Sequence, residues 1–278
     1  MSASYDPRRC GLDAELQRLE AQAELSWAEE ARLLTALGLR DGSTVLDVGC
    51  GPGAVLARLR ELLPGARLLA VEPDPELAGL ARARVPSAEV TVAAAETLPY
   101  ADGAVDAIVA RYVFQHVADP LAAARELRRV LSPRGLLAAI EVDGQLWGLA
   151  EPSFPETAAI HAKVWLAQAA RGGDRMIARK LPRILRRAGF ERVETRLYGY
   201  GSDKHSLDAF APHLDPALTL ARHVENGTIT PAEYGSALAA YRRFRADPDA
   251  FVVLAGLVVA GQTPKEEPSK NSPTDDSS

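Results

Sequence analysis

The residues best suited to chemistry are three glycines, Gly49, Gly51 and Gly53, which follow a short apolar run ending at Val48. Glycine allows sharp turns and close approach of a ligand to the backbone, because it has no Cβ. The apolar run predicts a strand at 43–48, buried on both faces of a parallel sheet, and good helix formers follow Gly53. Strand, glycine turn and helix together are typical of the start of a nucleotide-binding α/β unit.

Two acidic residues accompany this turn. Asp47 lies inside the first strand, and Glu72 ends a second apolar strand that we predict at 67–72. A carboxylate at the end of the second strand can accept hydrogen bonds from both hydroxyls of a ribose. The glycine spacing is G-x-G-x-G, whereas a dinucleotide-binding fingerprint requires G-x-G-x-x-G. The pattern therefore favours a nucleotide ligand other than a dinucleotide.

The segments V-L-D-V-G-C-G-P-G at 45–53 and A-V-E-P-D at 70–74 resemble the first two motifs of class I S-adenosylmethionine-dependent methyltransferases, and in particular the quinone-biosynthesis-type small-molecule enzymes. The resemblance covers about residues 40–145 and weakens from 146 to 262. It implies an α/β fold with a Rossmann-like seven-stranded sheet whose last strand is antiparallel. It also implies S-adenosyl-L-methionine as cofactor and S-adenosyl-L-homocysteine as product.

The resemblance implies which positions contact the cofactor. The family's adenine-binding segment commonly has the pattern G-D-A-E-x-L-P-F, but Ala93 and Ala94 replace the glycine and the aspartate here. A side-chain acceptor for the adenine amino group is therefore missing, and the backbone at Ala95 and the carboxylate of Glu96 remain. Arg111 would offer its backbone carbonyl to the cofactor's amino group. The cofactor contacts expected in full are Gln22, Asp47, Gly49, Gly51, Gly53, Glu72, Pro73, Ala95, Glu96 and Arg111.

Candidate catalytic groups lie at or just after the ends of the fourth and fifth strands. Methyl transfer is an in-line displacement that depends mainly on alignment of the acceptor, and a base can remove the acceptor's proton. His116 is the first candidate base and Glu141 the second, each with a purely structural role as the alternative. Less favoured candidates are Asp143, His161, His205 and His213.

The expected substrate contacts are Tyr5, Tyr112, Gln115 and Trp147. For Tyr5 the alternative is a solvent-facing side chain, and for Trp147 it is core packing. A metal-dependent catechol-type enzyme would place acids after the fourth strand to bind magnesium. Arg111 and Tyr112 stand there instead, so we predict no metal.

Composition limits the setting and the partners. The 278 residues carry 32 basic and 37 acidic side chains, a net charge of −5, which argues against a broad nucleic-acid-binding surface. The presence of only two cysteines, Cys10 and Cys50, argues against a disulfide framework and fits a reducing cytoplasm. The N-terminus does not resemble a signal peptide, and the longest apolar stretch, 251–260, is too short to span a bilayer. We expect no membrane association and a monomer or homodimer.

The chain divides into three parts by its sequence pattern. Residues 1–40 are predicted as a helical lid, with its helix at 11–37. Residues 41–262 form the methyltransferase domain, with helical cap insertions at about 144–174 and 201–249. The tail, 263–278, contains no hydrophobic residue and is predicted to be disordered.

Three functions are compatible with the sequence. Aromatic residues in the cap insertions favour methylation of a small hydrophobic or aromatic acceptor on O, N or C, as in natural-product tailoring. A macromolecular acceptor is a second reading, which the negative charge and the missing N/D-P-P-Y/F element disfavour. A third is a protein that binds the cofactor without methylating, either cyclase-like or regulatory, since fold does not fix function.

Overall fold

The computed structural model describes residues 12–146 and 148–265, which are built around one β-sheet. Its strands are β1 (Thr44–Val48), β2 (Arg67–Glu72), β3 (Glu89–Val92), β4 (Val105–Arg111), β5 (Leu131–Glu141), β6 (Gly148–Glu151), β7 (Glu191–Gly201) and β8 (Phe251–Gln262). The first five are parallel and lie in the order β3-β2-β1-β4-β5. The last strand, β8, is antiparallel to β5, β6 and β7.

The sheet is seven strands wide, although eight strands occur in the described part of the chain. Both β5 and β6 pair with one edge of β8, at 257–262 and 251–254 respectively, while β7 pairs with the opposite edge. The predicted seven-stranded arrangement with an antiparallel last strand is therefore confirmed. The short strand β6 was not predicted, because its four residues, G-L-A-E, carry no alternating pattern.

Ten helices cover the sheet or build the insertions within the described residues. They are α1 (Leu12–Ala36), α2 (Ala54–Leu62), α3 (Pro75–Arg84), α4 (Pro120–Val130), α5 (Glu156–Ala169), α6 (Ile177–Arg187), α7 (Ala211–Leu214), α8 (Pro216–Thr219), α9 (Ala221–Glu225) and α10 (Pro231–Ala246). No helix in the described ranges combines the length and hydrophobicity needed to cross a membrane.

Local sequence signals set most helix starts. Asp74 and Asp119 cap α3 and α4 by accepting backbone N–H groups, and a proline follows each cap, which is the usual sequence signal of a helix start. Thr230 begins α10 with a reciprocal capping box. Pro182 would be expected to break a helix, but α6 runs through it. The buried stripe of α6, which includes Leu181 and Leu185, holds the helix against the sheet despite the lost hydrogen bond.

Alternate residues of the central strands enter two separate cores. On one face, residues such as Val45 and Val109 pack with α1, α2 and α3. On the other face, Leu46 and Ile108 pack with α4 and α6. Each central strand is thus buried on both sides, which fixes its register and holds the carboxyl ends of β1, β2 and β4 at one edge of the sheet.

The long helix α1 presents an unexpected polar face to this sheet. Gln22, Ser26 and Glu30 recur every four residues, so they share one face, and all three are buried. Glu15 is buried as well. At the other end of the described chain, Thr263 is buried and donates to the Ser132 carbonyl. The described structure therefore extends past the predicted tail boundary at 263, and residues 266–278 lie outside the described residues.

Candidate active site

A cavity of about 1150 Å³ lies at the carboxyl ends of β1, β2 and β4. The strand order reverses between β1 and β4. The chain first adds β2 and β3 on one side of β1, and then returns to add β4 on the other side. Ligands of open α/β sheets bind in the crevice at such a point. The predicted glycine turn, the second-strand acid and the end of the fourth strand all meet here.

The glycine turn divides into packing and cavity-facing positions. Gly49, Gly51 and Gly53 all have positive φ, of 67°, 54° and 84°. A Cβ on Gly53 would lie 3.0 Å from the Ala81 Cα, so this glycine lets α2 pack against α3. Gly53 does not line the cavity, unlike the prediction. Gly51 does line it, and a Cβ there would meet no atom within 4 Å, which leaves open space for a ligand against the backbone.

Glu72 braces the turn and lines the cavity. Its two carboxylate oxygens accept the backbone N–H of Gly51 at 2.9 Å and of Asp74 at 3.0 Å. Burial raises the pKa of Glu72, while these two bonds act in the opposite direction. A carboxylate offers about four lone-pair sites, so two remain for the ribose hydroxyls that the sequence predicted.

Asp47 supplies a buried acceptor at the cavity wall. It is 1% exposed, and its Oδ2 atom has no hydrogen-bond partner among the described residues. Burial, with the nearby charge of Glu72, raises its pKa to about 8, although Arg111 lowers it. An ammonium group in the cavity would satisfy this oxygen and favour the ionised form. The site therefore fits the amino-acid end of the cofactor.

The expected adenine segment also lines the cavity. Pro73, Ala95 and half-buried Glu96 face the same space as Glu72, together with the two alanines that replace the family's glycine and aspartate. Because Ala93 and Ala94 have small apolar side chains, the polar groups on this side of the cavity are those of the backbone and the Glu96 carboxylate.

The side chain of Arg111 forms a buried network that the sequence analysis missed. Its Nε donates to Glu30 at 2.8 Å, and its Nη2 donates to the Ser26 hydroxyl at 2.9 Å and to the Gln22 carbonyl at 3.2 Å. Glu30 also accepts the Tyr198 hydroxyl at 2.8 Å. The network joins α1 to the end of β4 and places Gln22 on the cavity wall. The four-residue spacing of polar residues in α1 is the signal that could have revealed it.

A tight turn at the end of β4 brings Gln115 and His116 to the cavity. Tyr112 lines the cavity with a φ of 57°, a strained value for a bulky residue. Glu141 lies beneath the turn, fully buried, and accepts the Gln115 N–H at 3.3 Å. Burial raises the Glu141 pKa to about 8. Glu141 does not line the cavity, so the structure does not bring this predicted base to the cavity wall, and its observed contact is with the turn.

Among the other candidate bases, His161 and His213 line the cavity with His116. Asp143 is buried in a bidentate pair with Arg179, and neither it nor His205 lines the cavity. The pKa of His116 falls to about 3, because the ring is buried and Arg175, Arg18 and Arg222 lie nearby. The His213 pKa also falls to about 3, for similar reasons. These imidazoles are therefore uncharged at neutral pH.

Several cavity-lining polar residues were missed because nothing local marks them. Arg175 donates to the side-chain oxygen of Gln115, and Gln168 Nε2 donates to the Gln115 carbonyl at 3.2 Å. More than 50 residues separate these partners along the chain. The remaining missed arginines that line the cavity are Arg18, Arg171 and Arg222.

Two predicted substrate contacts, Tyr5 and Trp147, lie outside the described residues. Within 12–146 and 148–265, no group of three or more His, Cys, Asp or Glu side chains could hold a metal ion.

Residues 46–139 match the family model described as a methyltransferase domain. An uncharacterized 37.1 kDa protein of a Streptomyces fradiae transposon is 34% identical over 241 residues, which is 84% of this chain and 66% of that protein. An uncharacterized methyltransferase of Mycobacterium sp. strain KMS is 39% identical over 95 residues, 34% of this chain and 37% of that protein. The chain carries a class I S-adenosylmethionine-dependent methyltransferase domain. It spans two thirds or less of these relatives' lengths.

Solved structures of methyltransferases and of a cyclase share the fold. A chain of the complex between the Haloferax volcanii Trm112 methyltransferase activator and a methyltransferase has a TM-score of 0.57 at 21% identity, covering 90% of this chain and 96% of its own. Haemonchus contortus phosphoethanolamine N-methyltransferase 2, solved with S-adenosylhomocysteine, has a TM-score of 0.56 at 16% identity, covering 88% and 56%. The [4+2]-cyclase SpnF has a TM-score of 0.53 at 22% identity, covering 85% and 82%.

The cofactor of this methyltransferase domain is S-adenosyl-L-methionine, which supplies an electrophilic methyl group on a positively charged sulfur. The chain's own residues fit it: Gly51 leaves room against the backbone, Asp47 offers an unpaired buried oxygen and Glu72 keeps two acceptor sites. The same cavity is also lined by Gln22, Pro73, Ala95, Glu96 and the end of β4.

Proposed function

We propose that the protein transfers a methyl group from S-adenosyl-L-methionine to a small-molecule acceptor, by in-line displacement onto O, N or C, as a tailoring step on a natural product. The size and walls of the cavity carry this proposal. Ligand sites usually measure about 300–1,000 Å³, and about 1150 Å³ leaves room for an acceptor beside the cofactor. Residues of α1, α5, α8 and α9 line this cavity together with those of the glycine turn.

Alignment is the main catalytic contribution that we propose. Gln115 is buried, and its backbone carbonyl and side chain are held by Gln168 and Arg175, so it is pre-positioned at the cavity wall. Tyr112 and His116 lie beside it. His116 is uncharged and able to accept a proton, but a pKa of about 3 makes it a weak base. A phenolic or otherwise acidic acceptor would need little help from it.

We further propose that residues 1–40 act as a lid and that the segments at 144–174 and 201–249 form the acceptor cap. The support is that Leu19 and Gln22 of α1, Trp165 of α5 and Leu220 before α9 all line the same cavity. The proposed setting is a reducing cytoplasm, without nucleic acid or membrane, with a monomer or homodimer as the working unit.

The test uses methyl-labelled S-adenosylmethionine with a panel of phenols, quinones and amines. Release of S-adenosylhomocysteine and the mass of each product are measured in the same reaction. The proposal predicts a product heavier by one methyl group for at least one small acceptor, in step with S-adenosylhomocysteine. Transfer only to protein or RNA fractions of a cell extract would reject it in favour of a macromolecular acceptor.

A second candidate is a cofactor-binding protein that does not methylate. The likeness to a chain described as a [4+2]-cyclase favours keeping it, because that chain shares the fold over 85% of this one. Tight cofactor binding by calorimetry, with no S-adenosylhomocysteine from any acceptor, would select this function.

A further inference from the structure

A second cavity, of about 520 Å³, adjoins the first. Five residues border both cavities, so the two lie side by side: His161, Trp165, His213, Thr219 and Leu220. Every described residue around the second cavity lies between 144 and 254, whereas the family model matches 46–139. The second cavity is therefore built outside the matched domain, by β6, β8 and the two helical insertions.

The two cavities differ in charge. Within the described part of the chain, five arginines and five carboxylates line the first cavity, but no Asp, Glu, Lys or Arg lines the second. The imidazoles of the second cavity, His161 and His213, are uncharged at neutral pH, because burial lowers the pKa of each. Moving a charge from water into a space that offers it no partner is costly. The second cavity therefore suits an uncharged group.

Apolar side chains form most of the wall of the second cavity. Val252 and Leu254 of β8 line it from the sheet, and each is 1% exposed. Phe154 and Tyr241 contribute rings from the two insertions. Both rings pack on the buried ring of Phe244, at centroid distances of 5.0 and 6.4 Å. This packing fixes the positions of the two rings, so the apolar wall is formed before any ligand binds.

Trp165 lies at the border between the two cavities. Its indole stacks on the His161 ring, with centroids 6.1 Å apart. Gly144, which lines the second cavity, lets this indole lie close to the backbone, since a Cβ there would be 2.9 Å from the Trp165 Cζ2 atom. These contacts position a large apolar ring where the cavities meet. A ligand group that extends from the first cavity into the second would contact this ring.

We infer that the second cavity binds a large, uncharged hydrocarbon group, which is the part of the acceptor that extends away from the transferred methyl. The inference rests on the proposed function for the identification of the ligand as an acceptor, but the apolar site itself does not depend on methyl transfer. An engineered apolar cavity of about 150 Å³ binds benzene. A cavity of about 520 Å³ therefore has room for more than one ring, or for a chain of several carbons.

Calorimetry with three matched phenols tests the inference: phenol, 4-pentylphenol and 5-(4-hydroxyphenyl)pentanoate. Each is titrated into protein saturated with S-adenosylhomocysteine, so that the cofactor site is already filled. We expect 4-pentylphenol to bind at least about tenfold more tightly than phenol, because its chain buries apolar surface. The pentanoate should lose that advantage, because its chain has the same length but ends in a carboxylate that the second cavity does not pair.

Two variants locate the site. Leu149→Asp places a charge at an exposed position that lines only the second cavity, and Ala158→Phe fills space there from an exposed position of α5. Each should reduce the advantage of 4-pentylphenol over phenol to less than about threefold, because less apolar surface is buried. The matched controls, Leu166→Asp and Ala162→Phe, change exposed positions of α5 that line neither cavity, and they should keep the full advantage. S-Adenosylhomocysteine binding by each variant confirms that it is folded.

Three results would overturn the inference: equal affinities for phenol and 4-pentylphenol, equal affinities for 4-pentylphenol and the pentanoate, or equal ratios in Leu149→Asp and Leu166→Asp. Trp147→Ala adds a check, because residue 147 lies between the lining residues Gln145 and Gly148 in sequence but outside the described residues. An advantage for 4-pentylphenol that appears only in Trp147→Ala would mean that the wild type has no free second cavity, which also overturns the inference.

Methylation of the acceptor panel and of the three phenols is measured on the same preparations. Methyl transfer to small acceptors, together with equal binding of phenol and 4-pentylphenol, would reject the inference and leave the proposed function standing. Selective binding of 4-pentylphenol without methyl transfer to any acceptor would reject the proposed function and leave the apolar site standing.

Discussion

The buried pair between Glu30 of α1 and Arg111 of β4 gives the sharpest prediction about stability. Glu30 is fully buried and accepts from Arg111, from the Ser26 hydroxyl at 2.7 Å and from the Tyr198 hydroxyl at 2.8 Å. The Arg111 side chain is only 6% exposed. Glu30→Ala would leave this guanidinium buried without its countercharge.

The expected loss follows from the burial of both partners. Removing one member of a buried ion pair costs about 3–5 kcal/mol in free energy of unfolding. A domain of this size loses roughly 2–4 °C in Tm for each kcal/mol, so Tm should fall by about 6–20 °C. Since the pair ties α1 to the cavity end of β4, S-adenosylmethionine affinity should fall as well.

Urea unfolding followed by circular dichroism measures the effect, with Glu29→Ala as the matched control. Glu29 is the neighbouring residue on the same helix. Its Oε2 atom lies 3.0 Å from Nη2 of Arg32, whose side chain is 63% exposed. Such a pair contributes about 0–1 kcal/mol. If Glu30→Ala loses no more than about 1 kcal/mol beyond Glu29→Ala, the buried network does not hold α1 in place and the reasoning is wrong.

Two further predictions concern the glycine turn and the support beneath the β4 turn. Gly53→Ala should destabilise by at least about 1 kcal/mol more than Gly227→Ala in urea unfolding: both positions have positive φ, but only the Gly53 Cβ would meet a neighbour, Ala81 Cα at 3.0 Å. Equal losses would show that the close contact is unimportant. The raised pKa of Glu141, about 8, means that its stabilising contribution is complete below its ordinary pKa near 4.5 and is lost as pH rises through 8. The stability of wild type relative to Glu141→Gln should therefore fall between pH 5 and 8, by up to about 1.4 kcal/mol per pH unit, and a pH-independent difference would contradict the burial argument.

Local signals in the sequence were sufficient for much of the fold. The glycine turn, the Glu72 position and the caps at Asp74 and Asp119 depend on neighbouring residues, and the structure has each where it was expected. Burial of the first strands follows from their apolar runs. The parallel order then follows from the family's topology.

Long-range partnerships were not predictable from the same signals. Arg111 was expected to act through its carbonyl, but its side chain meets Glu30, 81 residues away. Arg175 meets Gln115 across 60 residues, so no local pattern marked it as part of the site. Glu141 lies at the end of the fifth strand as expected, yet it accepts a hydrogen bond from the turn and does not line the cavity. Such errors arise where burial and charge are decided by elements distant in sequence.

The most direct test of the central claim is calorimetric titration of S-adenosyl-L-methionine into wild type, Glu72→Ala and the control Glu61→Ala. Glu61 is an exposed acid of α2 outside the cavity. Loss of two hydrogen bonds to a charged acceptor, at about 1.5–3 kcal/mol each, predicts that Glu72→Ala binds at least about 100-fold more weakly, while Glu61→Ala matches wild type. A folded Glu72→Ala protein with affinity within threefold of wild type, or a wild type that prefers a nicotinamide dinucleotide, would contradict the account.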